Sequence, residues 1–378
     1  MSCARRESSR ADPARERYRR HRRRGLPRLA FACSDEGVRY AGRADRRGAE
    51  FLASKATAAV DGSERVIQLA GVNRASDEEV SGGNIAFAEQ LASALLAAAT
   101  PPPVVVYANS TQATNGSVYG DAKARAAEIL AEAASDIGAE FVDVRLPNLF
   151  GEHGRPFYNA VTATFSHLVA AGESPVVEHD KELTLLHAQN AADILSGAVP
   201  VSALADLQQA ETVSGLLDRL QGYAELYDRG EIPSVADRFD RDLFNTYRSY
   251  TFPAQSPIDL TRHADARGSF FEIIRSHGGP GQSSFSTTVP GVTRGDHFHR
   301  RKIERFTVLQ GRARISLRRL YSDEVVSFEV SGDAPGAVDM PTMWAHNITN
   351  IGEDLLYTSF WTNDIFDPAN PDTIAEAV

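Results

Sequence analysis

At 378 residues and 41.0 kDa the chain exceeds one average domain, so two domains are expected. An apolar fraction of 42% and a charged fraction of 24% exclude a largely disordered chain, a collagen-like chain and a disulfide-stapled miniprotein. The net charge of −10 is uneven: residues 1–28 hold eleven Arg against Glu7, Asp12 and Glu16, leaving −18 on the other 350 residues. So acidic a body argues against nucleic acid as a main partner. Both cysteines, Cys3 and Cys33, lie near the start, so the rest of the chain has no thiol for catalysis, zinc clusters or disulfides. No apolar run reaches about 18 residues, because the best candidate, Leu91 to Ala108, is cut by Thr100 and three prolines. No secretory signal follows the arginines. A soluble, cytoplasmic protein with no membrane partner is expected.

Residues 1 to about 58 show neither helical nor strand periodicity, and residues 1–59 are expected to form an atypical, poorly ordered basic segment. Residues 60–250 alternate between strands and helices. The strand Arg65 to Ala70 precedes an Ala/Leu helix from Ile85 to Ala99, and the strand Pro103 to Ala108 precedes a helix from Tyr119 to Ile137. The strand Glu140 to Leu146 follows. Strands separated by such helices call for right-handed crossovers and a parallel sheet. Ile232 to Pro257 reads as a connecting segment. Residues 257–378 change to short alternating strands, among them Ser269 to Arg275, Phe306 to Leu309, Ala313 to Arg318, Glu324 to Val330 and Leu355 to Trp361. Their Gly, Pro and Asp turns fit an all-β barrel or sandwich.

The sharpest motif lies there. Gly291 is followed after five residues by His297-Phe298-His299, after four more by Glu304 and after six more by Gly311. Residues two apart on a strand share a face, so His297 and His299 can converge and Glu304 can swing in from the next strand. Pro341 to His346, with Asn350 four residues later, supplies a third imidazole. Three imidazoles and a carboxylate suit a borderline divalent ion, with Zn2+ the leading expectation and His297, His299, Glu304 and His346 as ligands. These runs resemble the two cupin motifs, with Met343 where the second motif usually has Gly. A metal-cupin also hosts oxygenases and non-catalytic sugar binders, and those stand as alternatives.

In the α/β half, Ser110 and then Tyr119 and Lys123 resemble the Ser and Tyr-x-x-x-Lys set of short-chain dehydrogenases. Tyr and Lys four apart lie on one helix face. An ammonium beside a phenol lowers its pKa, so Tyr119 can exchange a proton with a carbonyl while Lys123 holds a nicotinamide ribose. In extended dehydrogenases the run Leu69-Ala70-Gly71-Val72-Asn73-Arg74 lies beside the cofactor, and Arg145-Leu146-Pro147-Asn148 opens the sugar-nucleotide pocket. The resemblance therefore implies Leu69, Ala70 and Gly71 at NADPH, and Asn73, Arg74, Arg145 and Asn148 at substrate.

An extended dehydrogenase joined to a cupin that runs Asn363-Asp364-Ile365-Phe366-Asp367-Pro368 to Pro371-Asp372-Thr373 resembles the bifunctional capsular polysaccharide enzymes of the CapF type, over roughly residues 60–378. The implied fold is α/β plus all-β: a Rossmann-like parallel sheet, incomplete at its N-terminus, followed by a cupin β-barrel. The implied chemistry is metal-cupin epimerisation at carbon 3 of a UDP-4-keto-6-deoxy-N-acetylhexosamine. NADPH-dependent reduction of the keto group follows, on the route to UDP-N-acetyl-L-fucosamine. The implied partner is a UDP-sugar, and a homodimer is expected. One part is missing: residues 1–64 contain no G-x-x-G-x-x-G turn to hold a pyrophosphate. The genetic code offers a reason. Written with permitted GC-rich codons and shifted by one base, Tyr18 to Phe31 can encode a strand followed by Gly-Ala-Ala-Gly-Phe-Leu-Gly. The start then reads as an out-of-frame translation, with the native frame resuming near Val60.

Overall fold

The computed structural model describes residues 29–32, 53–266 and 268–378, and most of the basic segment with its out-of-frame reading lies outside them. Two compact units emerge. One is built from the chain up to Leu146 with Leu195–Ala198, the other from Pro147–Ile194 and Val199–Val378.

In the first unit, strands β1 (Leu29–Ala32), β2 (Arg65–Gln68), β3 (Val104–Ser110) and β4 (Glu140–Leu146) form a parallel sheet in the order β1-β2-β3-β4. The helices are α1 (Ala53–Val60), α2 (Asp77–Leu96) and α3 (Val118–Asp136). Two of these elements correct the sequence reading, which expected no periodic structure before about residue 58. β1 is only four residues long, and α1 is Ala-rich with a single buried residue, Val60, so neither leaves a periodic signature. α2 begins eight residues earlier than expected, because Ser76 and Glu79 close a capping box ahead of the apolar face. The core joins Val66, Val105 and Tyr107 to Leu91, Leu95, Ala126 and Leu130, as expected where helices cover a parallel sheet.

In the second unit, strands β5 (Asn148–Phe150), β6 (Glu182–His187) and β7 (Gln209–Thr212) make a small sheet. Around it lie α4 (Val161–Ala170), α5 (Ala188–Ser196), α6 (Leu204–Leu207), α7 (Val213–Tyr227) and α8 (Arg238–Thr251). α8 replaces the expected connecting segment. Its composition is polar, yet Leu243, Phe244 and Tyr247 are buried, and Arg248 is buried beside Phe244 and Tyr227. Such a helix is amphipathic through aromatic side chains and a buried arginine rather than aliphatic ones, which hides it from a hydropathy reading.

The remaining strands are β8 (Ile258–Asp259), β9 (His263–Asp265), β10 (Gly268–Phe270), β11 (Gln282–Thr288), β12 (Thr293–Phe298), β13 (Glu304–Gln310), β14 (Arg312–Arg319), β15 (Val325–Ser331), β16 (Gly336–Met340), β17 (Trp344–Asn350), β18 (Leu356–Thr362) and β19 (Ile374–Ala375). Two five-stranded sheets result, β11-β18-β13-β16-β8 and β15-β14-β17-β12-β19. Inward side chains of both, including Phe306, Val308, Ile315, Leu317, Ile348 and Leu356, form one core. The expected strand Ser269 to Arg275 shrinks to β10, which pairs only with β9 in a hairpin.

Candidate metal centre and reductase residues

His297, His299, Glu304 and His346 bring one ligand atom each to within 4.8 Å of one another. Three strands deliver them. β12 and β17 pair so that His297 lies opposite His346, and Glu304 opens β13. A bulge between Gly295 and His297 re-aims the β12 side chains, and Gly295 is needed there: a Cβ would meet the His346 carbonyl at 2.8 Å. Gly291 and Gly311, the outer glycines of the first motif, both have positive φ, 74° and 90°.

The Glu304 Oε2 lies 3.1 Å from His299 Nε2, 3.2 Å from His346 Nε2 and 3.9 Å from His297 Nε2. On the far side of two rings, backbone carbonyls fix the tautomer: His299 Nδ1 donates to the Asp372 carbonyl at 2.5 Å and His346 Nδ1 to the Trp344 carbonyl at 3.1 Å. A carbonyl only accepts, so in the neutral rings both Nε2 lone pairs face the carboxylate. Acceptors facing acceptors at 3.1–3.2 Å call for a cation between them. Burial works against charging Glu304, but the three imidazoles around it outweigh burial and hold its carboxyl well below the usual range. Burial likewise holds His346 below its ordinary pKa, in the neutral form a metal ligand requires. The donor set fits a divalent ion.

The turn ahead of His346 is anchored by residues that sequence reasoning missed. Thr342 donates to Glu152 Oε1 at 2.6 Å, and the other oxygen of Glu152 lies 3.0 Å from His187 Nε2. Burial opposes a charge on Glu152, but His187 and Thr342 bring its pKa down to about 2, and Glu152 in turn raises that of His187. Trp344 Nε1 donates to His153 Nε2 at 3.2 Å, and burial keeps that imidazole neutral with a pKa of about 4. Met343, in the place where the cupin motif usually has Gly, adopts φ 64° and is held by its N–H on the His299 carbonyl at 2.9 Å. The two parts of the motif thus stay in register despite the substitution.

In the first unit Ser110 ends β3, and Tyr119 and Lys123 follow on α3. Ser110 lies near Tyr119 and offsets part of the effect of burial on the phenol. Lys123 is buried, donates from Nζ to the Ala108 carbonyl at 2.8 Å and lies 4.1 Å above the Tyr107 ring. Burial lowers the Lys123 pKa to about 8 and raises that of Tyr119. Gly120 lets the start of α3 approach the preceding turn, since a Cβ would strike the Gln112 carbonyl. Leu69, Ala70 and Gly71 leave β2 next to the end of β3, and Asn84 pins this loop through both the N–H and the carbonyl of Val72. Asn73 and Arg74 continue the same loop. Arg145 is half exposed and paired with Asp143 at 3.3 Å. In the second unit, Asn148 is exposed and donates to the Thr184 carbonyl at 3.1 Å. Among the described residues no helix is long and apolar enough to cross a membrane.

A parallel α/β sheet carrying a Ser/Tyr/Lys group, followed by a two-sheet barrel with a His3Glu group, defines a dehydrogenase-type chain fused to a cupin with a candidate metal centre. Comparison with known proteins agrees. The family model described as "Polysaccharide biosynthesis C-terminal domain" matches residues 263–374. A UDP-2-acetamido-2,6-beta-L-arabino-hexul-4-ose reductase of Pseudomonas aeruginosa is 32% identical over 321 residues, 83% of this chain and 86% of the relative. The spore coat polysaccharide biosynthesis protein SpsL of Bacillus subtilis is 29% identical over 122 residues, 30% of this chain and 81% of the relative. The crystal structure of the capsular polysaccharide assembling protein CapF of Staphylococcus aureus superposes with a TM-score of 0.53 at 28% identity, covering 92% of this chain and all of that one. The chain belongs to the family of the Pseudomonas reductase and CapF.

Proposed function

We propose that the chain is a two-step nucleotide-sugar enzyme: its cupin part, residues 257–378, epimerises carbon 3 of a UDP-4-keto-6-deoxy-N-acetylhexosamine, and its dehydrogenase part, residues 60–250, reduces the keto group. The observation that carries this reading is the convergence of His297, His299, Glu304 and His346 in the barrel of a chain whose family includes a 4-ulose reductase.

His297, His299, Glu304 and His346 would hold a divalent ion, zinc by its fit to three imidazoles and a carboxylate, which would supply positive charge to a carbonyl oxygen and so acidify the neighbouring proton. The chain's own residues hold the site. His299, neutral His346 and ionised Glu304 present their donor atoms already oriented. His299 and His346 are buried, whereas the His297 side chain keeps 20% exposure and marks the open side. Three groups on the barrel side of the chain, Asp296, His277 and Tyr357, have other employment. Asp296 accepts from Asn347 at 2.8 Å, His277 lies 2.6 Å from Glu231, and pleat alternation turns Tyr357 away from the core residue Leu356.

In the dehydrogenase part, bound NADPH supplies hydride to carbon 4. Tyr119 would give its proton to the carbonyl oxygen with Ser110 beside it, and Lys123, one turn along the same helix with its Nζ on the Ala108 carbonyl, would hold the nicotinamide ribose. Leu69, Ala70 and Gly71 would line the cofactor, and Asn73, Arg74, Arg145 and Asn148 the sugar nucleotide. With no glycine-rich run in residues 1–64, this chain should grip the pyrophosphate weakly and reduce slowly.

Metal analysis tests the first half. About one divalent ion per chain is expected, zinc above others, and lost from a His297→Ala/His346→Ala double variant; full metal in that variant contradicts the ligand set. Tyr119→Phe tests the second: NADPH oxidation should fall further, while proton exchange at carbon 3 stays unchanged. Oxygen uptake instead of exchange would make the cupin an oxygenase. Light scattering that shows a monomer at micromolar concentration would contradict the homodimer we also propose.

A further inference from the structure

The segment that follows Pro371 lies along β12, the strand that carries His297 and leads into His299. β19 pairs with β12 so that Ile374 faces Phe298 and Ala375 faces His297. The Glu376 N–H reaches the Asp296 carbonyl at 3.0 Å, and Arg318 clasps the Glu376 carboxylate at 2.6 Å. At the head of this strap stands Asp372, buried and with φ 45°, a conformation that residues with a Cβ avoid. Its carboxylate accepts three successive backbone N–H groups: Arg300 at 3.0 Å, Arg301 at 3.0 Å and Lys302 at 2.9 Å. Three consecutive amides aimed at one anion form a nest, filled here by the chain's own side chain. The Asp372 carbonyl then receives the His299 Nδ1 proton.

We propose that Asp372 is a positioning residue of the metal centre: its carboxylate locks the strap onto residues 300–302, and its main-chain carbonyl thereby holds His299 with Nε2 directed at the ion. The proposal rests on the metal-cupin reading. Two bonds from one residue act in series. The carboxylate is bonded to the amides just after His299 and the carbonyl to the His299 ring itself, so ring and backbone are fixed relative to each other. A water molecule in place of the carbonyl would donate or accept equally well and would leave the tautomer undetermined. Among the described residues no such bond holds the His297 ring, so the Asp372 carbonyl orients the ring of His299 alone, while the strap pairs with His297 only through its backbone.

The test uses the full chain, with zinc alone as the probe. Zinc affinity is measured by chelator competition, and Co2+ is substituted to read the ligand field by visible absorption, in wild type, Asp372→Ala and Asp372→Asn. Loss of a partner behind a ligating histidine typically weakens metal binding 10- to 100-fold. That loss is expected for Asp372→Ala, together with an altered Co2+ spectrum. Asp372→Asn keeps one acceptor oxygen and should fall between Asp372→Ala and wild type. Zinc affinity within twofold of wild type and an unchanged Co2+ spectrum in Asp372→Ala would overturn the proposal. Should circular dichroism show that Asp372→Ala does not fold, the near-isosteric Asp372→Asn decides alone, by the same two readouts. A wild-type chain that binds no zinc, or full zinc in His297→Ala/His346→Ala, would instead overturn the metal reading beneath it.

Discussion

The metal centre and the Ser/Tyr/Lys group are built in opposite ways. Four ligands arrive from strands β12, β13 and β17, so the centre exists only if two sheets close in the correct register. Ser110, Tyr119 and Lys123 come from one stretch of strand, turn and helix, placed by local structure alone. The lesson concerns what each proves. A long-range residue set depends on the whole fold, because a one-residue slip would turn the histidines to the other face. A local triad can persist while the distant element that holds its cofactor is absent.

The largest expected effect breaks that asymmetry. Replacing residues 1–59 with the frame-corrected sequence should raise NADPH oxidation by about 10²- to 10⁴-fold, the equivalent of two charge-assisted hydrogen bonds of roughly 1.5–3 kcal/mol each. Ordinary rates in the chain as written would show that another loop cradles the phosphates. In the other direction, His297→Ala/His346→Ala should lower carbon 3 exchange by about 10²–10³-fold while sparing Tyr119-dependent reduction of an already epimerised substrate.

Stability sharpens the contrast further. Arg305 and Asp339 are both buried and paired at 2.6 Å, with Tyr227 donating to Asp339 at 3.0 Å. Asp339→Ala should therefore cost about 3–5 kcal/mol by urea unfolding, by stranding Arg305 without its partner. The exposed pair Arg125–Glu128 in the first unit should cost under about 1 kcal/mol when Arg125 is replaced by Ala. Equal losses would mean that burial does not separate the two pairs.

Glu152→Gln should destabilise by about 2 kcal/mol at pH 7, since a neutral amide replaces the carboxylate facing His187. The pH dependence has a definite sign. The Glu152 pKa is depressed to about 2, so its contribution is present above the unfolded value near 4.5 and fades as pH falls towards 2. The His187 pKa is raised, so its contribution is full at acid pH and is lost as pH rises through the folded value. Unfolding curves at pH 5 and pH 9, where the Glu152 contribution is constant, should show the gap between wild type and variant narrowing at the higher pH as the His187 contribution is lost, and a constant gap would contradict the pairing.

Much of this was legible in sequence, for reasons of period and spacing. His297, Phe298 and His299 alternate as a strand must, and the expected strand Glu140 to Leu146 matches β4 at both ends. Tyr119 and Lys123 needed only the helix repeat. Other parts were not legible because they depend on distant contacts. Glu152 and His187 are ordinary residues until folding sets them beside Thr342, and Asp372 gains meaning only when its carboxylate meets three amides some 70 positions earlier. α8 was hidden because its buried face is made of Phe244, Tyr247 and Arg248 rather than an aliphatic stripe.

The central claim is that the His3Glu centre works on a proton next to a ketone. Incubating the zinc-loaded chain with a UDP-4-keto-6-deoxy-N-acetylhexosamine in deuterated water, without NADPH, tests it most directly. The account predicts deuterium at carbon 3 in the wild type and none above background in His297→Ala/His346→Ala. Exchange that persists in the metal-free double variant, or a zinc-loaded wild type that leaves carbon 3 unlabelled, would contradict it.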